Sequence, residues 1–345
     1  MNSRTDTSLC IVILLAAIGV PGVMGEEVPE RQDVLVVVGA AGSADYASMF
    51  QSWAERWEAA AKSADAGFLV IGLDDTPPDK NILSQTIKEL TADPSREPLW
   101  IILIGHGTFD GRTARFNLRG PDMTATEIAA LLKDSKRPIA LINCASSSAP
   151  FINAVSGPDR VVLTATKDGS QFQLARFGEA MSTAIAGKVA DLNRDGQVSL
   201  LEAWILAARR TDEFYQSNGR LATEHSLLDD NGDGLGSRVS AYKGVKLDVA
   251  DGDTDVDGRL ARRWHLIRSD EERQLSAEQR DRRDELEKRL EQIRPHRDDH
   301  TDSDYLNQLE SVLLPLAQLY EAIAAGRSET KKPAEEAARS EKTRN

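Results

Sequence analysis

Two residues of this 345-residue sequence have the types and placement for nucleophilic chemistry, His106 and Cys144. His106 sits in "LWIILIGHGTFDG", at the end of an apolar run and between Gly105 and Gly107. Cys144 closes a second apolar run in "RPIALINCASSS". An imidazole beside a thiol favours the thiolate, and the same ring can later protonate a leaving amine. Attack on a carbonyl creates an oxyanion, for which the backbone N–H groups of Gly107 and Cys144 are the expected donors. Flanking glycines and the small residues of "CASSS" would leave room for a substrate chain. Taken singly, each residue has a plainer reading. A histidine in a turn can be satisfied by a carbonyl, and a lone thiol is usually an inert core residue. Ser146 to Ser148 lack the G-x-S-x-G elbow, so serine chemistry is set aside. Asn143 reads as a cap on a strand-end carbonyl.

A second constellation is acidic. "DLNRDGQVSLLE" fills the pattern D-x-[DN]-x-[DN]-G-x5-E without a mismatch. Calcium takes ~6–8 oxygen ligands. Here they would be the side chains of Asp191, Asn193 and Asp195, the carbonyl of Gln197, Ser199 directly or through water, and both oxygens of Glu202. Gly196 permits the sharp turn. "LDDNGDGLGS" offers Asp229, Asn231, Asp233 and Gly234, but Ser240 stands at the twelfth place, leaving open a partial site or an ordinary turn. "DGDTDVDGRL" spaces Asp253, Asp255 and Asp257 similarly without the glutamate and reads as a polar loop. His225 reads as a local cap. Zinc is disfavoured, because no Cys/His cluster exists.

The elements that must carry these residues follow from periodicity. "DVLVVVGA", "AGFLVIGL", "LWIILI", "RPIALINC" and "RVVLTAT" are apolar runs without alternation, separated by amphipathic helices. That pattern predicts an α/β fold, with a parallel sheet covered by helices on both faces. Helices are expected over "YASMFQSWAERWEAAAKSA", "NILSQTIKELTA" and "TATEIAALLKDS", the last with a capping box from Thr124 and Glu127. Ligands of such sheets bind beyond the carboxyl ends of the strands, where His106 and Cys144 both emerge. If their strands are neighbours, ~4.8 Å apart, the two side chains can face one centre.

Past residue 267 the text is charged and helical. "SDEERQLSAEQRDRRDELEKRLEQI" opens with Ser269 and Glu272 as a capping box and carries Leu286, Leu290 and Ile293. "YLNQLESVLLPLAQLYEAIAA" carries Leu306, Leu309, Leu313, Leu316 and Ile323, with Pro315 expected to kink it. An antiparallel hairpin over 268–326 is expected, available for a protein contact, and a disordered tail over 327–345.

An apolar strand into His-Gly, and another into a cysteine followed by small residues, resembles the caspase-like cysteine peptidases of clan CD. "VLVVVGAAGSADY" is similar to the first strand and turn of the legumain family, which includes the catalytic subunit of the GPI-anchor transamidase. The likeness spans about Asp33 to Phe177. It implies a caspase-like sheet, His106 as general base and acid, Cys144 as nucleophile forming a thioester, Gly107 as oxyanion donor, and peptide or protein substrates. The chain departs from legumains at Asn143, where alanine is usual, and at Ala145, where glutamate is usual. Ala40 or Ala41 stands for an asparagine, and Ala47 follows Tyr46 where an arginine is expected nearby. A transamidase using the same pair, and a non-catalytic calcium-binding interaction protein on this fold, are the alternatives.

Charge bounds the partners. The net charge of −13 argues against nucleic acid, whose phosphates need clustered Lys and Arg. "MNSRTDTSLCIVILLAAIGVPGVMGEE" reads as a secretory signal cut near Gly25, with an apolar run too short for a stable membrane span. The expected organisation is a signal peptide over 1–25, then a peptidase-like domain over 31–267 containing the calcium loop 191–202. The protein is expected to be exported, periplasmic or extracellular. Calcium is expected to order the segment 190–233 as one wall of the substrate cleft.

Overall fold

Branched apolar runs leave no strand face for water, and the chain buries them in one sheet. The computed structural model describes residues 31–74, 78–247 and 256–342; the expected signal peptide lies outside them. In chain order the main domain contains β1 (Asp33–Val38), α1 (Ala44–Ser63), β2 (Gly67–Ile71), α2 (Asp79–Ala92) and β3 (Leu99–Ile104). There follow β4 (Gly107–Phe109), β5 (Ala114–Phe116), β6 (Met123–Thr124), α3 (Ala125–Leu132), β7 (Ile139–Asn143), α4 (Pro150–Val155) and β8 (Arg160–Thr164). It continues with α5 (Phe177–Ala184), α6 (Leu200–Ser217), β9 (Leu227–Asp229), β10 (Ser237–Arg238), β11 (Tyr242–Lys243) and β12 (Lys246–Leu247). The large sheet has the order β10-β9-β8-β7-β3-β1-β2. The five strands expected from the sequence are parallel, and β9 and β10 extend the sheet antiparallel.

Strand parity divides the core. Val34, Val36, Val38, Ile102, Ile104, Ala140 and Ile142 pack with α1, α5 and α6, around Phe50, Trp53, Phe177 and Trp204. Leu35, Val37, Ile101, Leu103 and Leu141 face α2, α3 and α4. The parity continues past the strand ends, so Cys144 joins the first of these layers and Ala145 the second.

At the amino edge of the sheet the fully buried Arg137 guanidinium donates to Asp33 at 2.9 Å and to the carbonyls of Glu97 and Arg31. Its charge is thereby compensated where burial would otherwise forbid it. Arg268 and Arg280 both pair with Glu97 at this edge, tying the C-terminal part to the sheet.

That part differs from expectation. The Ser269 hydroxyl accepts from Glu272 N, but only a short 3-10 turn follows. The first long helix, α7 (Ala277–Ile293), starts at a capping box of Ser276 and Gln279 instead. Helix α8 (Asp302–Lys342) runs through Pro315 as one element and covers most of the stretch expected to be a disordered tail. Ala, Glu, Lys and Arg dominate there, and their helix propensity needs no apolar stripe.

Candidate functional site

Strands β3 and β7 are neighbours, so the sequence places His106 and Cys144 at the same sheet edge, as expected. Register then keeps them apart. Leu103 pairs with Asn143, which sets Cys144 level with Ile104, two residues short of His106. At ~3.3 Å per residue this register sets the His106 backbone one pleat repeat beyond that of Cys144. Among the described residues no hydrogen bond joins the two side chains; the expected dyad in contact is not formed.

Cys144 is sealed. It has no exposed surface and lies in the hydrophobic layer with Trp53 and Phe177. Its Cβ is so close to α5 that a methyl on Gly178 would fall 2.9 Å from it and 2.6 Å from the Trp53 ring. Burial pushes the thiol far above its ordinary range, and the charge of Glu224 adds to that. Glu224 is itself buried and caps the start of α5, accepting from Arg176 N at 2.7 Å and Phe177 N at 3.0 Å. A nucleophilic cysteine needs a cationic, accessible setting. Hydrocarbon and a carboxylate supply the opposite.

His106 is half-buried and fixed by α1. Its ring meets Tyr46 and Phe50 edge-on at 5.2 and 5.4 Å, and Nε2 lies 3.2 Å from the Ala41 carbonyl. A carbonyl only accepts, so Nε2 is the donor in this contact. Among the described residues the ring's contacts are thus with α1 and the loop before it.

The expected oxyanion donors are spent inside the protein. Gly107 N donates to Ser146 Oγ at 3.1 Å, and that hydroxyl returns a bond to Gly107 O at 3.2 Å. Cys144 N donates to Leu103 O at 2.9 Å. Gly107 is glycine because a Cβ there would stand 2.3 Å from Ser146 O. The close approach allowed by "GHG" is thus made by the protein's own backbone, not by substrate. Asn143 does not cap a carbonyl; its Oδ1 accepts from Ala145 N at 3.0 Å. Ser148 Oγ accepts from Ala165 and Thr166 N, knitting the loop to β8. His225 accepts at Nδ1 from Gln171 Nε2 at 2.7 Å and donates its backbone N–H to Gln171 Oε1 at 3.2 Å.

The first acidic loop folds as its motif requires. Asp191 accepts from Asp195 N and Gly196 N, Asn193 Oδ1 accepts from Asp195 N, and Asp195 Oδ1 accepts from Gln197 N. Glu202 is buried, with Oε1 accepting from Leu192 N and Asn193 N, and Oε2 from Ser199 N and Oγ. Gly196 has φ 90°, and Asp191, Asn193 and Asp195 stay open to solvent. Among the described residues no three His, Cys, Asp or Glu side chains form a metal cage by themselves. A calcium loop of this type draws on amide, hydroxyl and carbonyl oxygens as well, so the donor set fits a hard oxygen-seeking cation.

The loop does not border the His106 edge. Ser199 bridges His265, whose carbonyl accepts from Gln32 just before β1, which puts the loop at the opposite, amino edge. A cleft of about 420 Å³ there is lined by Asn193, Asp195, Arg263, Arg283 and Tyr320, among others. The acidic loop walls a cleft against the C-terminal helices rather than a cleft at the strand ends.

No family model matches the chain, and no curated protein matches it. Solved structures similar to it are caspases. They include the Drosophila initiator caspase Dronc (14% identity, 61% of this chain and 82% of that one, TM-score 0.40). Caspase-1 from Spodoptera frugiperda shares 9% identity over 58% of this chain and 86% of that one, at a TM-score of 0.39. For drICE the values are 12%, 55%, 85% and 0.36. Likeness at these scores says nothing about which residues act, and what His106 and Cys144 can do rests on their own surroundings.

Proposed function

We propose that this chain is a caspase-like domain that binds protein partners rather than cleaving them, exported and ordered by calcium. The observation that carries this reading is the sealing of Cys144 in hydrocarbon, where burial and then the charge of Glu224 hold its thiol neutral. Acyl transfer through a thioester on Cys144, to water or to an amine, needs that sulfur at the surface; both the peptidase and the transamidase readings give way for the same reason. The departures from legumains at Asn143 and Ala145 agree with this.

Binding is supported at the other end of the molecule. Leu306, Leu313 and Leu314 of α8 are exposed, whereas Leu286, Leu290 and Val312 are buried between α7 and α8, with Leu309 and Leu316 partly buried against them. The exposed leucines are left for another helix or peptide. Calcium, held by Asp191, Asn193, Asp195, Gln197, Ser199 and Glu202, would fix the loop that walls the neighbouring cleft.

A thiol-directed acyl probe with a peptide recognition element tests the reading. The folded protein is expected to remain unlabelled. Labelling that disappears in both Cys144→Ala and His106→Ala, with each variant folded by circular dichroism, would overturn it.

A further inference from the structure

The second acidic loop ends at Ser240, without the carboxylate that closes the first. We propose that Asp257, from a separate turn 17 residues further on, supplies that carboxylate and completes a second calcium site on the loop 229–237. The ligands would be Asp229, Asn231, Asp233, the Leu235 carbonyl, Ser237 and Asp257.

The two loops match place by place. In the first, the closing Glu202 accepts from the backbone N–H groups of the second, third and ninth residues and from the hydroxyl of the ninth, Ser199. In the second, Asp257 Oδ1 accepts from Asp230 N at 3.0 Å and Asn231 N at 3.4 Å. Its Oδ2 accepts from Ser237 N at 3.1 Å and Ser237 Oγ at 2.6 Å. These are again the second, third and ninth places. The third residue repeats too: Asn231 Oδ1 accepts from Asp233 N and its Nδ2 donates to Asp233 Oδ2, as Asn193 does with Asp195. Gly234 has φ 75° where Gly196 has 90°. A shorter aspartate can do the work of a glutamate because it arrives from outside the loop, on its own turn.

Two observations apart from the loop geometry point to a missing cation. Asp229, Asp230 and Asp257 are all buried, yet among the described residues no Lys, Arg or His forms an ion pair with any of them. Buried carboxylates are ordinarily paired or hold metal. Beside them the hydroxyl of Tyr242, on a side chain only 6% exposed, has no hydrogen-bond partner. It is aimed at the turn after Asp257, 3.0 Å from where a Cβ on Gly258 would stand, and feels the charges of Asp257 and Asp230. N–H groups and hydroxyls satisfy these carboxylates, but no cationic side chain among the described residues pairs with them, and the Tyr242 hydroxyl beside them is left without a partner.

Calorimetric titration of the full chain with calcium, after chelator treatment, tests the assignment. Two equivalents are expected for the parent protein. Asp257→Asn should bind one equivalent, Glu202→Gln should keep one, and the double variant none. Asp233→Asn, at an exposed position that carries little folding risk, should weaken one of the two sites at least tenfold while the other is unchanged. A parent stoichiometry of one that Glu202→Gln abolishes would overturn the second site and leave the first standing. Unchanged binding in folded Asp257→Asn, or in Asp233→Asn, would overturn it as well.

Discussion

Cys144 and His106 differ in fate although their local sequences look alike, and the cause is one step of register. Cys144 keeps the parity of Ala140 and Ile142 and so continues their row into the core. His106 keeps the parity of Ile102 and Ile104 but stands beyond the level at which β7 ends. Removing the sulfur should therefore act as a small core deletion. Cys144→Ala is expected to cost about 1 kcal/mol, read by urea unfolding, as for loss of one buried heavy atom. The pH dependence follows from the raised thiol. The unfolded thiol ionises from near its ordinary ~8.5 while the folded one stays neutral, so above that pH the unfolded state binds fewer protons. Stability should fall as pH rises past about 9, by a slope that Cys144→Ala removes. Gly107→Ala is expected to be far worse, several kcal/mol by the same assay, because its methyl would strike the Ser146 carbonyl. The types of these residues were legible in the sequence; their contacts were not. Composition cannot tell a strand-end cysteine that turns outward from one that completes a buried row, since the pairing of β3 with β7 sets Cys144 two residues short of His106. Nor could "GHG" reveal that its glycines serve Ser146.

Among the elements, the five parallel strands and their helices were legible because uninterrupted runs such as "LWIILI" have a single burial solution. The short antiparallel strands β4, β5, β6, β9 and β10 were not, being two or three residues long with no period to read. Motif spacing singled out the first acidic loop, and the structure shows Ser199 and Glu202 closing it as a capping box at the start of α6. Spacing could not reveal the hydrogen bonds of Asp257 to the second loop, because they come from a distant turn and leave no spacing to detect. The placement of the loops also escaped, as α5 carries the chain from the Cys144 edge back to the amino edge before the first loop begins. Calcium should still stabilise the fold from there. At a hundredfold excess over Kd a single site contributes ~2.7 kcal/mol, so a chelator should lower Tm by several degrees. In Glu202→Gln that chelator shift should shrink, and a shift of full size would remove the first loop as its source.

For the whole molecule, the two ends of the sheet have separate tasks. The carboxyl edge is packed shut around Cys144, and at the amino edge Glu97 pairs with Arg268 and with Arg280 of α7, tying the C-terminal part to the sheet. Among the described residues no helix is long and apolar enough to cross a membrane. On the binding proposal, the exposed leucines of α8 are what a protein partner would cover. Leu306→Ser, Leu313→Ser and Leu314→Ser should each leave unfolding free energy within about 0.5 kcal/mol, whereas Leu286→Ala should cost ~2–5 kcal/mol. A large loss from Leu314→Ser would mean that the residue is already packed within this chain. The binding account stands or falls with access to one sulfur, and alkylation of the native protein by iodoacetamide, followed by mass spectrometry over a urea series, measures that access directly. The expected result is a Cys144 rate that is negligible in buffer at pH 8 and rises only along the global unfolding curve. Prompt alkylation in the absence of urea, while the protein remains folded, would contradict it.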